Sequence, residues 1–285
     1  MTDLLAIDDL RVSYPVKGLR AKPVPVLREV SLTLRRGETL GLVGESGSGK
    51  TTLGRAVLGL VPVESGRIVF AGERIDNASR RRRRKLGADL QVVFQDPYSS
   101  LNPARTIGDT LTEPLLAGGT DTRAARRRVG DLLDGVGLPA DAAHRLPREF
   151  SGGQRQRVAI ARALALDPAL IVCDEAVSAL DLTTRKTVLD LLVDIQERTG
   201  VAYLFITHDL SVVRYACHRI AVLRDGRIVE TGDAAAVTAE PSHPYTRSLL
   251  LAAPVADVRR QRERRAAFEA DRRSRTPQPN TSAER

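Results

Sequence analysis

Apolar and polar positions change rhythm several times along the chain. Residues 5–12 and 27–35 alternate ("VLREVSLTLRR" contains the second stretch), the period of antiparallel strands with one solvated face. "GETLGLV" (37–43) is instead a short apolar run leading into glycine, as a buried strand would be. "RIVFAGERI" predicts a further strand with a turn at Ala71-Gly72. From about Thr106 to Leu164 the pattern becomes helical and rich in Arg and Asp, interrupted by "GVGLPAD" and "RLPREFSGG". Strand and helix then alternate again: "ALIVCDE" (169–175), a helix near 183–199, "VAYLFITHD" and "RIAVLRDGRIVETG". Strands alternating with helices imply an α/β protein with a parallel sheet, here carrying a helical insertion. No internal repeat is visible, and "TPQPNTSAER" has the composition of a disordered tail.

Composition narrows the classes. At 285 residues and 42% apolar content, the chain is long enough and greasy enough for a sizeable core. The formal charge of +9 is unevenly spread. Arg80 to Lys85 supply +6 and the stretch 259–275 supplies +5, which leaves about −2 for everything else. A folded body without a basic stripe argues against nucleic acid as the partner. Cys173 and Cys217 cannot build a disulfide framework and read as structural thiols of a reducing cytoplasm. The start "MTDLLAIDDLRVSY" is acidic where a signal peptide needs basic residues, and no window approaches the ~18 apolar residues of a membrane span. A cytoplasmic chain is therefore expected, reaching a membrane only through a partner.

Candidate chemistry begins at "GESGSGKT", Gly44 to Thr51, which fits G-x-x-x-x-G-K-[ST] at every position. It follows a predicted strand and opens a helix-like stretch, the context that separates a phosphate loop from a chance match. Gly44, Gly47 and Gly49 allow backbone conformations that turn successive N–H groups inward onto phosphate oxygens. The helix adds its positive end, Lys50 reaches the β- and γ-phosphates, and the Thr51 hydroxyl helps hold Mg²⁺. A Gly/Ser linker would not be clasped between two apolar segments. The nucleotide contacts expected here are Gly44, Glu45, Ser46, Gly47, Ser48, Gly49, Lys50, Thr51 and Thr52. "LIVCDE" then ends an apolar strand in two carboxylates at its carboxyl end, the ligand side of such sheets. Alone the pair could merely cap a turn. Beside a phosphate loop, Asp174 is expected to orient the metal shell and Glu175 to polarise an attacking water.

"FSGGQRQR" (150–157), some 20 residues before that acidic strand end, resembles the signature motif of ABC-transporter ATPases. The family's other stations follow in order. Gln95 in "VVFQDP" looks like the Q-loop, "SALD" (Ser178–Asp181) the D-loop, and His208 in "ITHD" the switch histidine. The resemblance spans roughly residues 4 to 254. It implies a P-loop NTPase (ABC ATPase) core with an antiparallel β subdomain and a helical signature-motif subdomain. It also implies a head-to-tail pair of such chains sandwiching two MgATP. Ser151, Gly152, Gly153 and Gln154 of one subunit would face the γ-phosphate held by the other, and Asp181 would join them. Read without the family, "SGGQ" is a small-residue turn opening a helix, either a capped start or a second anion site. Gln95 would sense metal and water, and Tyr14 would stack on adenine or else pack against "PVKGLRAKPVPV". The implied segments are 1–95 with 159–235 as core, 96–158 as helical subdomain and 236–285 as a C-terminal extension with a disordered tail from about 274.

Three stretches resemble the ATPase subunits of oligopeptide/dipeptide importers and the related nickel and glutathione importers: "VVFQDPYSSLNPARTIGDTLTEPL", "DEAVSALD" and "EPSHPYTRSLLLAAP". The resemblance implies two membrane-spanning permease subunits, contacted by the segment after Gln95. A binding protein would deliver the solute outside, and the ATPase would sit on the cytoplasmic face of the membrane. Pro103 and Asn102 could equally just make a turn. The rival class is a soluble ABC ATPase acting on DNA or ribosomes, which lacks support from tandem domains or zinc-finger cysteines. "NASRRRRRKLG" (77–87) reads first as a solvated basic helix start, next as a contact with anionic lipid headgroups, and last as a nucleic-acid contact.

Overall fold

In a computed structural model of the protein, residues 3–15, 22–96 and 101–252 are described. Strands β1 (Asp3–Tyr14) and β2 (Val24–Arg35) form the expected antiparallel pair, with Leu5, Ile7, Leu10, Leu27, Val30 and Leu34 turned inward. After β3 (Thr39–Val43), helix α1 (Lys50–Val57) leads to β4 (Ser65–Phe70) and the short β5 (Glu73–Arg74). Ala71 and Gly72 take φ of 50° and 83°, the two left-handed positions of the predicted tight turn. β2, β1, β4 and β5 make one antiparallel sheet in that order.

Helix α2 (Arg80–Asp89) runs into β6 (Leu90–Phe94). The helical segment follows: α3 (Ile107–Ala117), α4 (Thr122–Gly135), 3₁₀ turns at Ala140–His144 and Pro147–Glu149, and α5 (Gly152–Leu164). The chain then alternates through β7 (Leu170–Asp174), α6 (Leu182–Thr199), β8 (Ala202–Thr207), α7 (Leu210–Ala216), and the hairpin β9 (Arg219–Arg224) and β10 (Arg227–Asp233). Helices α8 (Ala234–Ala239) and α9 (Pro244–Ala252) close the described chain.

The second sheet has the order β10-β9-β3-β8-β7-β6, parallel throughout except for the terminal hairpin. Its central strands are buried on both faces, which is why their sequence shows apolar runs rather than alternation. Along β7, Leu170 and Val172 join a core shared with α1 and the antiparallel sheet, while Ile171 and Cys173 join a core shared with α5 and α6. β8 repeats the division, with Leu204 and Ile206 on one side and Tyr203 and Phe205 on the other. The expected boundary at residue 158 falls inside α5. That helix both ends the helical segment and seats Val158 and Ile160 in the core beneath the sheet.

The arginine run forms most of α2, capped by Ser79. Arg80, Arg81, Arg84 and Lys85 are exposed, as a solvated face requires, but Arg83 is half-buried. Its guanidinium donates to the carbonyl oxygens of Val57 and Ile75, tying α2 to the end of α1 and to β5's exit. Arg82 pairs with Glu73. One arginine of the five is thus a structural strut. Both cysteines are free; burial pushes the Cys173 thiol far up and that of Cys217 up to about 12, so neither forms thiolate near neutrality. The second basic stretch, 259–275, the tail from about 274, and positions 97–100 of the expected contact loop lie outside the described residues. No helix among the described residues is long and apolar enough to cross a membrane.

The turn between β9 and β10 ties the two sheets together. Asp225 and Gly226 have φ of 48° and 77°, and Gly226 accepts from the Arg28 N–H of β2 at 2.8 Å. A Cβ on Gly226 would lie 2.2 Å from the Val26 carbonyl oxygen. Gly226→Ala is therefore expected to lower unfolding free energy by about 2 kcal/mol or more, through backbone strain and a clash with main chain. Chemical denaturation checks this; a stability equal to that of the parent would contradict the geometry.

Candidate nucleotide-binding site

Most helices of the fold begin on a side-chain cap: Ser79, Thr106, Asp121, Ser151, Asp181, Asp209 and Asp233 each accept backbone N–H bonds of the helix they start. Helix α1 does not. Gly49, at φ 108°, occupies its cap position and offers no side chain, so the N–H groups of the first turn are left for something else. The helix sits at the carboxyl end of β3, and Gly49 is pressed against β2: a Cβ there would lie 2.8 Å from Leu27 and 3.2 Å from the Val26 carbonyl oxygen. Gly44 is pinned on the other flank, where a Cβ would meet the Leu223 carbonyl oxygen at 2.1 Å. Gly226 also donates to the Ser48 carbonyl oxygen at 3.1 Å.

Inside this loop Lys50 is only 5% exposed. Its Nζ donates to the carbonyl oxygens of Gly44 and Glu45, each at 2.8 Å. Burial lowers the lysine's affinity for its proton, and the carboxylates of Glu175, Asp174 and Glu45 oppose that shift. The Ser48 hydroxyl is buried without a hydrogen-bond partner. Beside the loop opens a recess of about 320 Å³ lined by Val26, Ser46, Gly47, Gly49, Lys50, Thr51, Thr52 and Glu175.

The end of β7 delivers both acidic groups. Thr51 Oγ1 donates to Asp174 Oδ1 at 3.0 Å, joining α1 to the tip of β7. The next residue, Glu175, adopts φ 53°, rare for a residue with a side chain. That conformation is held by three bonds: Glu175 N–H donates to Ile206 at 2.9 Å, and the Ser178 N–H and hydroxyl both donate to the Glu175 carbonyl, at 3.1 and 2.9 Å. Such strain at a strand end costs about 1–3 kcal/mol and aims the carboxylate into the recess. His208, beyond β8, brings Nδ1 to 3.4 Å from Glu175 Oε1.

The structure does not bring every expected residue to this recess. Tyr14 ends β1 opposite Val24 and is not among the lining residues, whereas Val26 of β2 is. Gln95 is exposed just past β6, one strand over from Asp174, with Phe94 paired to Asp174. Ser151 and Gln154 form a reciprocal capping box: Gln154 N–H donates to Ser151 Oγ at 3.3 Å and Ser151 N–H to Gln154 Oε1 at 2.9 Å. Gly152 and Gly153 face α6 and its approach. A Cβ on Gly153 would lie 2.2 Å from Thr184 Cγ2, and one on Gly152 4.0 Å from Leu180. Asp181 Oδ1 accepts from the N–H groups of Thr183 and Thr184 at 3.1 and 3.0 Å; the Thr184 side chain, and then these N–H groups, hold its carboxyl below the usual range. None of residues 151–154 lines the recess.

Arg185 escaped the sequence reading. Its guanidinium reaches from α6 to Asp209 Oδ2 at 2.9 Å and to the carbonyl oxygens of Ser178 and Leu180 at 3.3 and 3.2 Å. It therefore ties the "SALD" loop to the residue after His208. Lone arginines one turn into a helix give no signal of such a role.

A glycine loop ahead of an uncapped helix at the carboxyl end of a parallel sheet, with a strand-end carboxylate on its threonine, defines a P-loop α/β protein. The chain belongs to the ABC transporter family: that family's profile matches residues 27–178. It is 50% identical over 273 residues to the glutathione import ATP-binding protein GsiA of Escherichia coli (strain K12), and 51% identical to the GsiA of Salmonella paratyphi A (strain ATCC 9150 / SARB42). Both alignments cover 94% of this chain but 44% of those proteins, so the chain spans under half the length of the curated relatives it matches. Among solved structures, cbiO1 from Clostridium perfringens, part of the ABC transporter complex cbiONQ, superposes with a TM-score of 0.75. It is 28% identical, with 84% of this chain and 91% of that one covered. The ATP-binding cassette MJ0796, solved as a dimer bound to ADP and Pi, gives 0.72 at 29% identity, covering 81% and 98%.

Burial holds the Asp174 carboxyl above the usual carboxylate range, against the Thr51 hydrogen bond and with help from the charge of Glu175. A raised value in the folded state means that the charge costs stability at neutral pH, a cost relieved as pH falls through that value. Asp174→Asn keeps the acceptor for Thr51 and is expected to raise the stability of the nucleotide-free protein by up to about 1 kcal/mol. The gain should shrink on acidification. Thermal unfolding between neutral and mildly acid pH checks it; a variant less stable than the parent at neutral pH would contradict the assignment.

Proposed function

We propose that the chain binds and hydrolyses ATP as the energy-coupling ATPase subunit of an importer for glutathione, dipeptides, oligopeptides or a related small solute. The observation that carries this reading is the convergence of Lys50, the Thr51–Asp174 bond at 3.0 Å and the Glu175–His208 approach at 3.4 Å on one recess. The N–H groups of residues 47–52 and the open end of α1 receive the phosphates, with Lys50 leaving its carbonyl partners for the β/γ oxygens. Gly44, Glu45, Ser46 and Ser48 shape the loop, and the unpartnered Ser48 hydroxyl is a ready contact.

Thr51 and Asp174, joined by Gln95, would hold Mg²⁺, a small cation that keeps several waters and takes phosphate oxygens as its other ligands. When bound, that ion neutralises phosphate charge. Glu175 orients and polarises the attacking water, and His208 steadies the γ-phosphate beside it. Tyr14, outside the lining of the recess, is assigned to the adenine.

A second such subunit, identical or a sister, completes each site head to tail, supplying Ser151, Gly152, Gly153 and Gln154 at the start of α5 and Asp181 beside them. The segmentation that goes with this is a core of 1–95 and 159–235, a helical subdomain of 96–158 and an extension from 236. Two permease subunits in the membrane would dock near the segment after Gln95, keeping this chain peripheral on the cytoplasmic face and served by an external binding protein.

Glu175→Gln keeps the shape of the site and removes the base. ATP turnover is expected to fall by about two orders of magnitude or more while nucleotide binding persists. Turnover at the parent rate would remove Glu175 from the chemistry. Lys50→Ala should instead raise the dissociation constant for ATP at least tenfold, measured by titration calorimetry, through loss of a charge on the phosphates.

A further inference from the structure

The segment after β10 does more than end the fold. Glu230 of β10 accepts the N–H groups of Ser242 and His243 at 2.7 and 3.1 Å, and His243 Nδ1 accepts the Tyr245 N–H at 3.1 Å. These bonds fix the start of α9 so that Tyr245, 5% exposed, lies under the phosphate loop. The Arg224 guanidinium covers its ring at 4.9 Å. The Tyr245 hydroxyl accepts the Glu45 N–H at 3.0 Å.

That single peptide unit has two ends. Its N–H, from Glu45, goes to Tyr245, and its carbonyl, from Gly44, accepts from Lys50 Nζ at 2.8 Å. The Glu45 carbonyl on the next unit also accepts from Lys50 and from the Ser48 N–H, at 2.8 and 3.2 Å. The plane that presents carbonyl oxygen to the buried ammonium is thus held from behind by a residue 200 positions away in sequence.

We propose that Tyr245 is a positioning residue for the phosphate loop, and that the docked segment 242–252 sets the loop's affinity for ATP through the Gly44–Glu45 peptide. The inference rests on reading the recess as the ATP site. Tyr245 is not among the residues that line the recess; it acts by keeping the peptide, and with it Lys50, in the orientation that receives phosphate. Because linkage is reciprocal, nucleotide in the loop also strengthens the docking of α9.

Tyr245→Phe removes the hydroxyl and leaves the buried ring. In the full chain, KM for ATP is expected to rise about fivefold, the size of one hydrogen bond, with kcat within about twofold of the parent. Amide hydrogen exchange should quicken in residues 44–50; ATP is expected to slow exchange in 244–252 in the parent and not in the variant. A parent-like KM together with parent-like exchange at 44–50 would overturn the role of Tyr245. Lys50→Ala measured alongside separates the two ideas: lost nucleotide binding there with a parent-like Tyr245→Phe sinks only the positioning role. Undiminished binding in Lys50→Ala sinks the reading of the recess itself.

Discussion

The buried ammonium group of Lys50 is the constraint on which this structure turns. Lys50 lies inside a loop of main chain, and removing its charge from water is costly unless oxygen atoms surround it. The fold supplies them from the backbone at Gly44 and Glu45, with three carboxylates nearby. Holding those carbonyls in place explains much of the surrounding architecture. Gly44 is packed against Leu223, Gly49 against Leu27 and Gly226 against Val26, each too closely for a side chain. Both sheets and the β9–β10 turn therefore meet at the loop. Phosphate oxygens would substitute for partners that the protein already presents, so little reorganisation is needed when nucleotide arrives.

The chemistry that surrounds the lysine is spread over strand ends that a parallel sheet aligns. β7 and β8 are neighbours in register, so Asp174 and Ile206 pair, and Glu175 and His208 emerge side by side beyond them. The left-handed backbone of Glu175 is local strain held by Ser178 and Ile206. Arg185 then connects the loop after Glu175 to the loop after His208. One guanidinium thus bonds to both loops.

Much of this was legible in the sequence because the signals are contiguous. The phosphate loop, the acidic strand end, the alternation of β1 and β2 and the turn at Ala71-Gly72 each sit within a few residues and report local geometry. Buried strands such as β7 showed themselves as apolar runs because both faces are covered. What escaped depends on contacts between distant residues. Tyr245 was visible only as part of "HPYT", and nothing in its neighbours says that its hydroxyl meets Glu45. Val26 reads as an ordinary strand residue yet lines the recess. Arg83 was one arginine among five, distinguished only by the helix face that turns it toward Val57 and Ile75.

The start of α5 bears on the larger assembly. Its capping box and its close fit against Thr184 are complete within one chain, and it stands apart from the recess that holds Lys50. The proposed ATP site, built from both elements, would draw on two chains. Gly152→Asp is suited to testing this, since a side chain there has 4.0 Å to its nearest neighbour and an acidic residue is tolerated in a first helical turn. The added charge would instead repel phosphate presented by a partner. The deciding measurement mixes Gly152→Asp with Lys50→Ala chains and follows ATP hydrolysis. Each variant alone is predicted to be inactive and the mixture to regain turnover at the one site that pairs an intact phosphate loop with an intact α5 start. A mixture as inactive as its components, or a Gly152→Asp protein that is fully active by itself, would contradict a site shared between two chains.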